Sequence, residues 1–196
     1  MNRTDSKIKF VGLHAHSVAG SIFDAIGYPQ DHMDFAYQNG CDALALTDHG
    51  NMNGLAYQVL HAKKMQADGK DFKPIFGCEA YFIPSIEEWQ EEYTKAMEDK
   101  KRARAVKKDA ASGATVEDEG ASKKTQDILR RRRHLVLLAQ NQTGLNNLFK
   151  LVSESYKAEN FYRYPRIDYA LLKKYNEGII ASVSYTHLRA HETVSH

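Results

Sequence analysis

Ala43-Leu-Ala-Leu-Thr-Asp-His-Gly50 joins an unbroken apolar run to a polar turn, and its reading decides the fold. An apolar run of this length without alternation suits a strand covered on both faces, as in a parallel sheet packed between helices. Working outward, Asp31–Gln38 follows Pro29 and stops at Asn39-Gly40, which predicts a helix closed by glycine. On the other side, Leu55, Val59 and Ala62 recur at helical spacing up to Gly69. Strands are predicted at Ile8–His14 and Lys73–Ile83, the latter with Pro74 near its start, where a missing donor is tolerated. Further along, His134–Ala139 predicts another strand, Leu145, Leu148, Phe149, Val152 and Tyr156 one face of a helix, and Asp168 a helix cap. Ile179-Ile-Ala181 begins a fifth strand. Strands alternating with helices at short spacing predict an α/β fold with a mostly parallel sheet, open or closed into a barrel.

Two segments stand apart. Residues 87–133 carry 11 acidic and 13 basic side chains, about half of the segment. With the small residues of Ala111–Thr115 and Glu119–Ser122 inside it, 85–133 reads as a charged surface insertion, helical over Glu87–Lys108 and unstructured beyond. Within it, Arg130–Arg133 could contact phosphates, but a charge run beside a flexible insertion reads as a solvated face. Residues 185–196 hold three of the nine histidines without apolar periodicity, and resemble translated sequencing-adapter read-through. They are read as foreign to the native protein, so the i, i+4 pair His187 and His191 is not taken as a zinc site.

Composition limits the class of protein. The chain has 196 residues, 42% hydrophobic and 27% charged, with a net charge of +2 that argues neither for nor against nucleic acid. Cys41 and Cys78 form no C-x-x-C pair, which predicts free thiols in a reducing cytoplasm. The polar start and the lack of long apolar runs predict no signal peptide and no membrane segment.

Candidate chemistry lies at the strand ends. His14-Ala-His16 places two imidazoles on one side of an extended segment, so both can reach one ion. In Thr47-Asp-His-Gly50, Asp48 could orient His49 by accepting its second ring proton; the alternative is a plain turn. Glu79, flanked by apolar residues, needs a partner or an ion if buried. His134 opens a strand, and Asp24 sits in Ile22-Phe-Asp-Ala25. Histidine and carboxylate ligands without cysteine suit zinc, manganese or iron, and such ions together serve phosphate-ester hydrolysis.

The series His14-Ala-His16, Thr47-Asp-His-Gly50, Gly77-Cys-Glu-Ala-Tyr81 and His134-Leu-Val-Leu-Leu-Ala139 resembles the successive motifs of the polymerase and histidinol phosphatase (PHP) family. Lys73-Pro-Ile-Phe-Gly77, Asn141-Gln-Thr-Gly144, Phe161–Asp168 and Glu177–Ser182 resemble its branch at the N-terminus of bacterial DNA polymerase III alpha subunits. The resemblance implies a distorted parallel (β/α) barrel of the PHP type, here truncated to its first strands and helices, over residues 7–184. It implies His14, His16, Asp24, His49, Glu79 and His134 as metal ligands, Glu79 bridging two ions, and Asp48 in a supporting role behind the ligands. Up to three divalent ions would serve a phosphoesterase or 3′–5′ exonuclease, or in degenerate members a scaffold. DNA, the rest of the alpha subunit, the sliding clamp and the proofreading subunit are the implied partners. The pattern would continue after Ser182 with a glycine-cysteine-leucine-like turn and an Asp-x-His pair, which are absent here. A free-standing phosphoesterase and an amidohydrolase barrel, which also begins with His-x-His, are the competing enzyme classes.

Overall fold

The computed structural model describes residues 10–109, 127 and 131–183. Among the described residues the elements follow in the order α1 (Pro29–Gln38), β1 (Ala43–Leu46), α2 (Leu55–Ala67), β2 (Lys73–Phe82), α3 (Ile86–Asp109), β3 (Arg133–Ala139), α4 (Gln142–Ser155), β4 (Phe161–Tyr162), β5 (Tyr164–Ile167), α5 (Tyr169–Tyr175) and β6 (Ile179–Val183). The strands pair in the order β4-β5-β2-β3-β6, with β1 also on β2. Among the described residues the order does not close on itself.

The α/β class matches the sequence, but the sheet is mixed. β1 and β5 run parallel to β2, whereas β3 is antiparallel to β2 and to β6. The cause is the insertion. A parallel neighbour needs a crossover that returns the chain to the starting end of the strand. Here Phe82, the last residue of β2, is paired with Arg133, the first of β3, so the charged insertion acts as a long hairpin connection. Helix α3 fulfils the helical expectation for its first half, while residues 110–126 and the segment 184–196 lie outside the described residues. The predicted first strand is reduced, within the described residues, to a parallel bridge of Gly12 to Leu44. The β4–β5 hairpin was not anticipated, because Pro165 and a left-handed Arg163 (φ 59°) disguise it.

Two caps fix the return half of the chain. The Asn141 carboxamide accepts from Gly144 N–H at the start of α4, and Asp168 accepts from Leu171 N–H at the start of α5. Asp168 also accepts from Ile86 N–H, which ties the start of α3 to the sheet. The main core lies between β2, β3 and α4, where Ala80, Leu137, Leu148, Leu151 and Ile167 are buried together. Met33, Ala36, Met65 and Phe72 seal α1 and α2 against β1. Cys41 and Cys78 are both free, as expected.

Candidate metal centre

Parallel pairing of β1 with β2 continues past the strand ends as a bridge from His49 to Glu79. On the other side of β1, Ala45 N–H donates to Gly12 O and Thr47 N–H to Ala15 O, which brings His14 and His16 alongside. From the opposite edge of β2, the antiparallel β3 delivers His134. Four imidazoles from three segments therefore surround one carboxylate. Glu79 is 1% exposed, and its Oε2 lies 2.9 Å from His14 Nε2, 2.7 Å from His16 Nε2 and 3.2 Å from His49 Nδ1. Its Oε1 lies 2.8 Å from His134 Nδ1. Asp24 completes the ring from outside, 2.6 Å from His49 Nε2 and 3.5 Å from His16 Nδ1.

The charges follow from these contacts. Burial pushes the Glu79 carboxyl up, but hydrogen bonds from His134, His16 and His14 outweigh it and hold the group well below the usual carboxylate range. The hydrogen bond to Glu79 raises His16, while burial lowers His49. Glu79 is thus an anion at neutral pH, and His49 favours the neutral ring that a metal ion requires.

Among the described residues, three overlapping groups could each hold a metal ion: His14, His16 and Glu79; His16, Asp24 and His49; His49, Glu79 and His134. The donors fit such an ion in two further respects. His14 Nε2 and His16 Nε2 face each other at 3.1 Å, close to the ~3.3 Å spanned by two tetrahedral nitrogen ligands of one zinc. His49 Nδ1 is buried and, despite its nearness to Glu79, makes no hydrogen bond. Such a nitrogen is costly unless something else uses its lone pair.

Asp48 departs from its expected contact. Its carboxylate does not orient the His49 ring; it accepts instead from Ser17 N–H (2.6 Å), Ser17 Oγ–H (2.8 Å) and Ser21 Oγ–H (2.9 Å). The reason is register: His49 turns towards Glu79, leaving Asp48 to point back into the 17–21 loop. Ser21 Oγ in turn accepts from His49 N–H, so Asp48 braces the loop that carries Asp24. Gly20 is required there, since a Cβ would stand 2.3 Å from Asn51 Oδ1 and 2.6 Å from Asp48 Cβ. Sequence reasoning passed over Ser17 and Ser21; their i, i+4 spacing just after His16 was the available signal.

Tyr81 was also missed as part of the site wall. Its ring stacks on His49 at 5.8 Å with an interplanar angle of 5°, and meets His134 edge-on at 5.2 Å. Burial pushes its hydroxyl up to about 12, so it stays protonated. Nor is the arginine run a uniformly solvated face: Arg131 pairs with Glu92 at 3.1 Å, and Arg132 lies over the rings of Tyr164 and Tyr81. A cation beside two aromatic faces gains more there than in water.

The family model of the PHP domain matches this chain over residues 12–193. The chain belongs to the PHP domain family. Within that family it is homologous to DNA polymerase III alpha subunits: 36% identical over 172 residues to that of Aquifex aeolicus and 34% over 175 to that of Treponema pallidum. Each match covers 88–89% of this PHP chain but 12% of the relative, so the chain spans about an eighth of their length. Among solved structures, an amidohydrolase from Chromobacterium violaceum with bound sulfate shares 16% identity at a TM-score of 0.38, over 74% of this chain and 34% of that one. A Bifidobacterium adolescentis protein assigned as a metal-dependent phosphoesterase shares 11% at 0.39, over 75% and 33%. Likeness that distant assigns no chemistry. No helix among the described residues is long and apolar enough to cross a membrane.

Proposed function

We propose that this PHP domain is part of a replicative DNA polymerase III alpha subunit and acts there as a metal-dependent phosphoesterase of the 3′–5′ exonuclease type. The observation that carries the reading is the convergence of His14, His16, His49 and His134 on the buried Glu79 carboxylate. These residues and Asp24 would hold up to three divalent ions, zinc, manganese or iron by donor type. Such ions supply an acidified water and positive charge for phosphate oxygens. The protein's own part is positional. Glu79 presents Oε2 to His14, His16 and His49 and Oε1 to His134, so it would be a ligand shared among the ions. Asp48 holds the 17–21 loop, and through it Asp24, against the histidines. Tyr81 closes one wall with a ring that stays neutral.

In this reading residues 7–184 form the PHP portion, 85–133 a surface insertion and 185–196 a foreign tail. DNA, the remainder of the alpha subunit, the clamp and the proofreading subunit are the partners, in the cytoplasm. Sequencing the source gene beyond the codon for Ser182 tests the assignment to a polymerase, since a long polymerase region should follow.

The catalytic part is tested by metal analysis together with release of nucleotides from a labelled single strand. Metal-loaded protein should degrade the strand from its 3′ end, and His14→Ala and His49→Ala should abolish this. A second reading, a metal-stabilised scaffold, draws on the same geometry, because one carboxylate staples three chain segments. Protein that binds stoichiometric metal, gains stability from it and hydrolyses nothing would establish the scaffold instead.

A further inference from the structure

Beyond the metal centre, the site face continues as a stack of side chains. Tyr81 stands two residues after Glu79 on β2, so the two share a face of that strand, and Arg132 lies just before the start of β3, two residues ahead of His134. Tyr164 of β5 meets Tyr81 edge-on at 5.1 Å. The Arg132 guanidinium carbon lies 3.8 Å over the Tyr164 ring and 5.3 Å from that of Tyr81. An unbroken series of contacts thus runs from His49 and His134 through Tyr81 to Tyr164 and Arg132.

The stack rests on a built foundation. Arg166 is fully buried, and its Nη1 donates to Tyr162 O (2.9 Å) and Tyr164 O (3.0 Å). Its Nε reaches Arg131 O at 3.4 Å, and Trp89 lies under the guanidinium at 4.3 Å. One interior side chain therefore pins both backbones that carry the stack, that of Tyr164 and that next to Arg132.

A guanidinium stacked on a ring keeps its edge hydrogens in a plane suited to a phosphate. Cationic and aromatic side chains alternating beside a groove are how proteins track single-stranded nucleic acid, the charge on the backbone and the rings on the bases. A small phosphomonoester would end at the metal centre and leave this stack unused, whereas a polynucleotide brings a neighbouring phosphate within its reach. Resting on the phosphoesterase reading above, we infer that Arg132, set by Tyr164 and Tyr81, binds the phosphate adjoining the scissile one. It thereby makes the site selective for single-stranded nucleic-acid ends over small phosphomonoesters.

The experiment compares the protein with its Arg132→Gln, Arg132→Lys and Tyr164→Leu variants, each checked for folding by thermal melting. Two readouts are taken: anisotropy of a short fluorescein-labelled single strand in EDTA, and kcat/KM for that strand and for p-nitrophenyl phosphate with metal. Arg132→Gln should weaken binding about tenfold and flatten its salt dependence by about 0.7 in the log–log slope, the loss of one phosphate contact on a single strand. The ratio of kcat/KM for the strand to that for p-nitrophenyl phosphate should fall about as far, through KM. Arg132→Lys should recover only part, because an ammonium lacks the planar edge. An unchanged affinity and ratio overturn the assignment of Arg132 while leaving the phosphoesterase reading intact. An equal loss on both substrates also overturns it, as does a parent protein that binds no strand. Weakened binding in a protein that hydrolyses neither substrate would instead keep Arg132 and sink the phosphoesterase reading.

Discussion

Glu79 and His134 meet on a diagonal of the β2–β3 pair: Oε1 accepts from Nδ1 at 2.8 Å, while the direct partners of the two residues are Val136 and Tyr81. Because β3 is antiparallel, its first residues lie at the end of β2 that carries Glu79. A parallel β3 in the same place would carry His134 to the far end of the sheet.

Glu79→Gln keeps the shape of this side chain and removes its charge. Four imidazoles then face a neutral amide whose nitrogen can only donate. Metal retained after desalting should fall at least ~10-fold at equal free metal, with hydrolysis lost in parallel. Elemental analysis of the purified variant is the check, and undiminished metal content would show that the histidines hold ions without Glu79.

Asp48→Ala leaves three donors of Ser17 and Ser21 without their acceptor in a buried site. The expected cost is about 3 kcal/mol in urea unfolding, with metal affinity lowered ~10-fold because Asp24 loses its braced loop. Ser17→Ala with Ser21→Ala should reproduce part of both effects. A stability change with no change in metal affinity would separate the loop from the site.

Gly20→Ala inserts a methyl group against Asn51 and Asp48. Overpacking of this kind costs about 1–3 kcal/mol, and the loop must shift to relieve it. Chemical denaturation gives the cost, and a wild-type midpoint would mean that the 17–21 loop is loose enough to yield.

Much of this was legible in the chain. The β1 and β2 runs, the glycine stops and the helix-capping Asp168 follow from local rules, and the six residues of the ring stand in short motifs at the strand ends. What was not legible is non-local. Strand direction depends on where an insertion leads the chain, so the antiparallel β3 could not be read from alternation. The orientation of Asp48 depends on the rotation of its neighbour His49 towards Glu79, which periodicity does not encode. Arg132 looked like one of four equivalent arginines, and only the hairpin carrying Tyr164 distinguishes it.

A divalent ion that binds the folded protein alone must stabilise it. At free metal about 100-fold above its Kd the gain is about 2.7 kcal/mol, and EDTA should reverse it. Thermal melting with and without zinc or manganese measures this. The Glu79→Gln variant should show little of the shift, and an equal shift in both proteins would place the ion elsewhere.

Arg166→Met tests the foundation of the Arg132 stack. Burial brings the Arg166 guanidinium down to about 10, so it remains charged at neutral pH, held by backbone carbonyls of Arg131, Tyr162 and Tyr164. Methionine fills much of the space but leaves those carbonyls unpaired, at a cost of about 3 kcal/mol. Trp89 is the single tryptophan and lies 4.3 Å from the guanidinium, so its emission reports the contact directly. The variant should unfold earlier in urea, change its tryptophan emission while folded, and weaken oligonucleotide binding with metal content retained, because the ring of candidate ligands does not include the hairpin. Loss of metal together with oligonucleotide binding would mean that the hairpin supports the whole site, and that Arg166 is not specific to the stack.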